Sequence, residues 1–189
     1  MPDETKKPAF AEELWAIYCG DINAANVSKL IGGLTTVASG GTKRIHILFQ
    51  SWGGFVGDGV FMYNALRKLS VEIVLYNAGQ VASAAVLAYL GAHSRKTTAN
   101  ALFMIHKSTY NPNAAGADKL KAAADNLVID DIRVEEILRS HLKLPEELWT
   151  QFRFHDVYLT GKDAVAYGLA EQIGEFSPPA GTKVLNALG

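Results

Sequence analysis

Residues 71–90 read Val71-Glu72-Ile73-Val74-Leu75-Tyr76-Asn77-Ala78-Gly79-Gln80-Val81-Ala82-Ser83-Ala84-Ala85-Val86-Leu87-Ala88-Tyr89-Leu90. A β-branched run, Val71 to Tyr76, predicts a buried strand that Gly79 ends. Small residues turn, and Ser83 opens an apolar segment expected to be a buried helix to about Leu90. A tight strand-to-helix turn of this kind exposes a serine hydroxyl, as a nucleophile elbow does. The amides at the helix start can then hold a developing oxyanion. The plainer reading is a helix cap, for which serine is a preferred residue.

Outward from this stretch, strands and helices alternate. Trp15 to Ile22 predicts a strand and Asn23 to Val37 a helix, stopped by Ser39-Gly40-Gly41. Lys43 to Gln50 alternates as a second strand, broken by Ser51-Trp52-Gly53-Gly54. Asp58 is placed to cap a helix to about Leu69. Arg95–Thr98 and Ala101–His106 are expected to form a short hairpin. Gly116 to His141 carries helical spacing and is the longest helix. Pro145 suits the first turn of a helix through Phe152. Thr160 and Asp163 form a capping pair before Ala164 to Tyr167, closed by Gly168. The alternation predicts a single α/β domain with right-handed crossovers over residues 14–189, after a charged, loose leader over 1–13.

The chain has 189 residues, 49% hydrophobic and 20% charged, with a formal net charge of -1. That describes an ordinary globular domain and gives no electrostatic reason to expect nucleic acid. Cys19 is the one cysteine, which excludes an internal disulfide; a small buried strand residue is the simplest reading of it. The longest apolar stretch, Val81 to Ala92, is far short of the ~20 residues that span a bilayer. The N-terminus lacks the apolar segment of a secretory signal. A cytoplasmic location is the expectation, with no membrane partner.

Four features bear on chemistry. Ser83 is the candidate nucleophile. Gly53-Gly54 follows a strand, and a glycine pair lets backbone amides approach a ligand closely; a plain turn explains it equally well in isolation. His106 ends the apolar run from Ala101 and is placed as a base would be, although many such histidines merely end a strand. Asp156 lies in a loop before the capped short helix and is a candidate partner for a histidine, or else a solvated aspartate. His46 lies within a strand and His141 within the long helix, so both read as structural. His155 adjoins Asp156, and adjacent side chains rarely share one relay. No HExxH or CxxC spacing suggests a metal, no GxxxxGK[ST] suggests a phosphate loop, and no cofactor is implied.

At these residues the sequence resembles the proteolytic subunit of the Clp protease, within the crotonase-like superfamily. The resemblance is carried by Gly79-Gln80-Val81-Ala82-Ser83, by Met104-Ile105-His106, and by Asp156-Val157-Tyr158-Leu159-Thr160 with Ala164-Val165-Ala166-Tyr167-Gly168-Leu169. It implies a fold of repeated β-β-α units with a handle-like long helix. It implies a serine endopeptidase that cleaves unfolded polypeptide inside a homo-oligomeric ring, a heptamer or stacked heptamers, with an AAA+ unfoldase as a candidate partner. Ser83, His106 and Asp156 would form the triad, and the amides of Gly54 and Ala84 the oxyanion hole. Gly53, Phe55 and Val56, with Ser108, Thr109 and Tyr110, would flank an extended substrate.

The sequence departs from the family's pattern at several points. Trp52 replaces a loop proline, Ala84 a methionine and Lys107 a glutamine. Pro112 interrupts the segment that joins two rings, and residues 1–13 do not match the family's pore-lining segment. Two alternatives therefore stand beside the peptidase: a weakly active or inactive ring subunit, and an acyl-CoA enzyme using the two-amide hole without a nucleophile. A serine–lysine site drawing on Lys96 or Lys107 is a further one.

Overall fold

The computed structural model describes residues 10–188. Strands β1 (Glu13–Cys19), β2 (Arg44–Gln50), β3 (Glu72–Asn77), β5 (Ser94–Thr97), β8 (Gln172–Ile173) and β9 (Val184–Asn186) form one sheet in the order β8-β5-β3-β2-β1-β9. Every pairing in it is parallel. Parallel neighbours need crossovers, and helices α1 (Ala24–Ser39) and α2 (Val56–Leu66) supply them between β1, β2 and β3. A second sheet is small, with β4 (Gln80–Ala82), β6 (Leu102–Ile105) and β7 (Val157–Thr160) in the order β4-β6-β7. The chain is thus an α/β domain, as expected.

Local chemistry sets most helix boundaries. Asn23 caps α1, its side chain accepting from Asn26 N–H at 3.0 Å, and Val27, Leu30 and Leu34 turn one face inward. Helix α3 (Ala84–Leu90) is buried along its whole length, as seven apolar residues in a row require. Helix α4 (Ala117–His141) runs 25 residues and buries only Val134 and Leu138, so it stands out from the body as a handle. Helix α5 spans Glu146–Phe152, with Pro145 just outside it. Helix α6 (Gly161–Ala166) begins with the capping box of Thr160 and Asp163. None of the described helices is long and apolar enough to cross a membrane.

Several expectations are corrected. Segments Arg95–Thr98 and Ala101–His106 form no hairpin: β5 joins β3 and β8, whereas β6 joins β4 and β7. A turn closed by Ala101 N–H on Thr98 O carries the chain from one sheet to the other. Asp58 is not a cap. Helix α2 starts at Val56 after Phe55, and Asp58 lies in its first turn, where a carboxylate still favours the helix dipole. Strand β3 does end at Asn77, just before Gly79, but a further strand, β4, follows at once in the other sheet. Cys19 is exposed at the end of β1 rather than buried.

His46 is the buried strand residue instead, stacked on Trp15 at 4.0 Å, with its Nδ1 2.9 Å from Tyr76 Oη. Of the leader expected over 1–13, residues 1–9 lie outside the described part. Glu12 accepts Lys43 N–H at 2.9 Å, and Glu13 is the first residue of β1.

Candidate active site

The register of the small sheet brings three distant residues to one edge. Strands β4 and β6 run parallel with Ala82 beside Met104, so Ser83 and His106 leave the sheet as neighbours. Strands β6 and β7 run antiparallel with Ile105 opposite Val157. The next position along that pairing sets His106 opposite Asp156. Three short strands, none with a strong sequence signature, thereby do the positioning.

Ser83 sits just before α3 with φ 55° and ψ -130°, a conformation few L-residues adopt. Its N–H donates to Met104 O at 2.8 Å and its carbonyl accepts from Val86 N–H at 2.9 Å. Its side chain makes no capping bond. The hydroxyl instead lies 2.7 Å from His106 Nε2. A cap would have turned it toward α3, so the capping explanation of this serine fails. A serine hydroxyl at hydrogen-bond distance from an imidazole can lose its proton as it attacks an electrophile.

The other side of the imidazole is looser. Nδ1 stands 3.8 Å from Asp156 Oδ1, and the Asp156 side chain is 49% exposed against 22% for His106. That separation is an ionic contact, not a hydrogen bond. Gln151 Nε2 donates to the Asp156 carbonyl at 2.8 Å and anchors its backbone. Tyr158 Oη reaches only 3.5 Å from its carboxylate. His155 is exposed and His141 pairs with Tyr63 Oη at 3.0 Å, away from the serine.

The glycine pair packs against the serine. Gly53 has φ 102°, and a Cβ there would meet Ser83 Cβ at 2.7 Å and Ala82 O at 2.9 Å. Gly54 has φ 151°, and a Cβ would collide with the Ile22 carbonyl. Ile22 N–H donates to Gly53 O and Phe55 N–H to Ile22 O, which pins the loop on both sides of Gly54. Among the described residues neither the Gly54 nor the Ala84 amide donates to another group of the chain. Both residues border the cavity that Ser83 and His106 open into.

That cavity, about 750 Å³, is also bordered by Phe55, Val56, Ser108, Thr109 and Tyr110. Gly53 is not on its wall; it backs onto Ser83 instead. Trp52 is 66% exposed, and its bulk stays out of the cavity. Lys107 is turned from the imidazole: its Nζ lies 3.3 Å from Glu135 Oε2 and 3.8 Å from Asp131 Oδ2. Asp131 Oδ1 also accepts Ser108 N–H at 2.7 Å, tying the segment after His106 to the handle helix. From Lys107 to Gly116 the chain forms no strand.

Sequence reasoning missed the far wall. It comes from α4, whose Ala122, Asn126, Asp130, Val134 and Leu138 recur at four-residue intervals along one line and all face the cavity. The spacing was visible, but a long helix offers several such lines, and only packing selects one.

Comparison with known proteins bears on most of the chain. The Clp protease family model matches residues 8–177. The ATP-dependent Clp protease proteolytic subunit 3 of Rhizobium etli is 25% identical, over 90% of this chain and 88% of that protein. The ATP-dependent Clp protease proteolytic subunit 2 of Treponema denticola is 23% identical, over 92% and 88%. Among solved structures, a ClpP1 mutant from Listeria monocytogenes superposes with a TM-score of 0.72 over 87% of this chain and 92% of that one. Its identity is 22%, so it speaks for the fold alone.

Proposed function

This chain belongs to the Clp protease family, and we propose that it is a serine endopeptidase whose nucleophile is Ser83. One observation carries the assignment: the Ser83 hydroxyl, on a strained elbow, points at His106 Nε2 at 2.7 Å instead of capping its helix. In this reading His106 takes the hydroxyl proton as Ser83 attacks the peptide carbonyl. The tetrahedral oxyanion lies between the Gly54 and Ala84 amides, each such donor lowering the barrier by about 3 kcal/mol. His106 then returns its proton to the leaving amine, and water repeats the cycle on the acyl-enzyme. Asp156 steadies the imidazolium.

The substrate is unfolded polypeptide, held along Phe55–Val56 and Thr109–Tyr110. The working form is a homo-oligomeric ring in the cytoplasm. Exposed apolar residues on α4, Val128, Ile129 and Ile132, support assembly through the handle. The relatives are named ATP-dependent proteolytic subunits, which supports an ATP-driven unfoldase as the candidate partner in the same reading.

A fluorophosphonate tests it. Labelling at Ser83, located by peptide mass spectrometry, lost in Ser83→Ala and strongly reduced in His106→Ala, is the expected result. An assembled, folded protein that takes no label sinks the reading. The 3.8 Å gap at Asp156 favours one second reading, a ring subunit with a slow triad; it predicts labelling at Ser83 with turnover far below that of an aligned triad.

A further inference from the structure

The cavity beside Ser83 has one wall out of keeping with the rest. Leu87, Ile105, Val134 and Leu138 make it apolar, and each of them is buried. One helical turn before Val134 on the same line stands Asp130, whose side chain is only 13% exposed, and one turn earlier stands Asn126. A carboxylate so nearly buried needs partners. Arg133 provides one, 2.7 Å from Asp130 Oδ1, without itself bordering the cavity. Oδ2 accepts the Asn126 amide at 3.3 Å, and a carboxylate oxygen has a second lone pair for a further donor. Asp130 and Asn126 thus set a carboxylate and an amide on a helix face that otherwise offers the cavity Ala122, Val134 and Leu138.

A leucine or phenylalanine filling this space would strip water from Asp130 and return no hydrogen bond. A site built with acceptors discriminates strongly against side chains that lack donors. An acidic side chain would meet Asp130 as a like charge. The geometry points to a specificity site in which Asp130 and Asn126 select, at the residue preceding the scissile bond, a long side chain with an apolar stem and terminal N–H donors. The stem lies on Val134 and Leu87, and the tip donates to Asp130 Oδ2. Glutamine is the simplest such side chain. The assignment deepens the peptidase reading and rests on it for the identity of the bond cleaved, but the pocket's preference is measurable without catalysis.

Full-length chain carrying Ser83→Ala is titrated by fluorescence anisotropy with labelled Ala-Ala-X-Ala-Ala peptides in which X is Gln, Leu or Glu. Gln is expected to bind at least about fivefold tighter than Leu, the size of one buried hydrogen bond, with Glu weakest. Adding Asp130→Val should bring Gln and Leu within about twofold of each other. Asn126→Leu, at an exposed position that folding tolerates, should shrink the Gln preference as well. Leu binding as tightly as Gln to the parent chain overturns the assignment. So does a Gln preference that survives both substitutions, or failure of all three peptides to bind. Fluorophosphonate labelling of the unsubstituted chain reads the role of Ser83 separately. A Gln-selective pocket beside an unreactive Ser83 would therefore condemn the peptidase reading and keep the pocket.

Discussion

His106 Nδ1 stands 3.8 Å from Asp156 Oδ1, while its Nε2 lies 2.7 Å from the Ser83 hydroxyl. The imidazole is committed to the serine and only loosely held by the carboxylate. Because Asp156 is half in water, its field at the ring is screened. Ser83→Ala and His106→Ala are each expected to lower peptide hydrolysis by about 10³-fold or more. Asp156→Ala should cost clearly less than either. Steady-state kcat/KM on one fluorogenic peptide, compared across the three variants, checks the order.

Lys107, Asp131 and Glu135 clamp the chain just after His106 to the handle helix. Asp131→Ala leaves Ser108 N–H without its 2.7 Å acceptor, a loss of about 1–3 kcal/mol in stability. Because Ser108 borders the cavity, KM should rise in the same variant more than kcat falls. Urea denaturation and peptide kinetics on Asp131→Ala measure the two effects.

Burial pushes the Glu135 carboxyl up, but hydrogen bonds from Arg139 and Lys107, with their charges, outweigh it and hold the group below its usual value. A carboxylate depressed in the folded state stabilises the fold fully above its unfolded value, about 4.3. That contribution disappears as pH falls through the lower folded value. Glu135→Gln should therefore lose stability at pH 7 and converge on the parent chain in strong acid. Thermal melts across that range test it.

His46 and His141 are held below the ordinary histidine value, each by burial first. For His46 the neighbouring Glu13 pulls the other way, but its Oε2, 3.4 Å from Nε2, makes no hydrogen bond, and burial prevails. Arg95 and Arg67 add to the effect at His141. Each ring takes up a proton less readily in the fold than in the unfolded chain, where histidine protonates near pH 6.5. Stability is full above that pH and declines as pH falls through the lowered folded values. Urea midpoints between pH 7.5 and 5 should fall in the parent chain and fall less steeply in the His46→Gln, His141→Gln double variant.

Much of this molecule was legible in the sequence, and the reasons differ by element. Helix α1 announces itself by Asn23 and apolar spacing, and α6 by the Thr160–Asp163 capping box, because those signals are local. Strands β4 and β7 do not. Each is only three or four residues long and gains its stability from β6, a partner distant in sequence. The same non-local pairing explains why Arg95–Thr98 and Ala101–His106 read as a hairpin: adjacency in sequence suggested a partnership that the two sheets divide. Residue type and resemblance single out Ser83, His106 and Asp156, but their meeting depends on a register that no single segment carries. The looseness at Asp156 was not readable, since it turns on an ångström at the end of a short strand.

Gly53 gives the sharpest test of how the elbow is built. Its φ of 102° is open to glycine and costs an L-residue about 1–2 kcal/mol. A Cβ there would stand 2.7 Å from Ser83 Cβ and 2.9 Å from Ala82 O. One of those contacts is backbone within β4, so a rotamer change relieves neither the strain nor the clash. The loop or the elbow must move, and moving the elbow turns Ser83 Oγ from His106. Gly53→Ala is therefore expected to slow fluorophosphonate labelling by more than about tenfold while the chain still folds. Gly41→Ala, at φ 97° with nothing within 4 Å of the added carbon, is the matched control. It bears the same backbone penalty far from the serine, and its labelling rate should stay at the parent value. If Gly41→Ala slowed labelling as much as Gly53→Ala, the effect would be general destabilisation and the contact between Gly53 and Ser83 would not explain it.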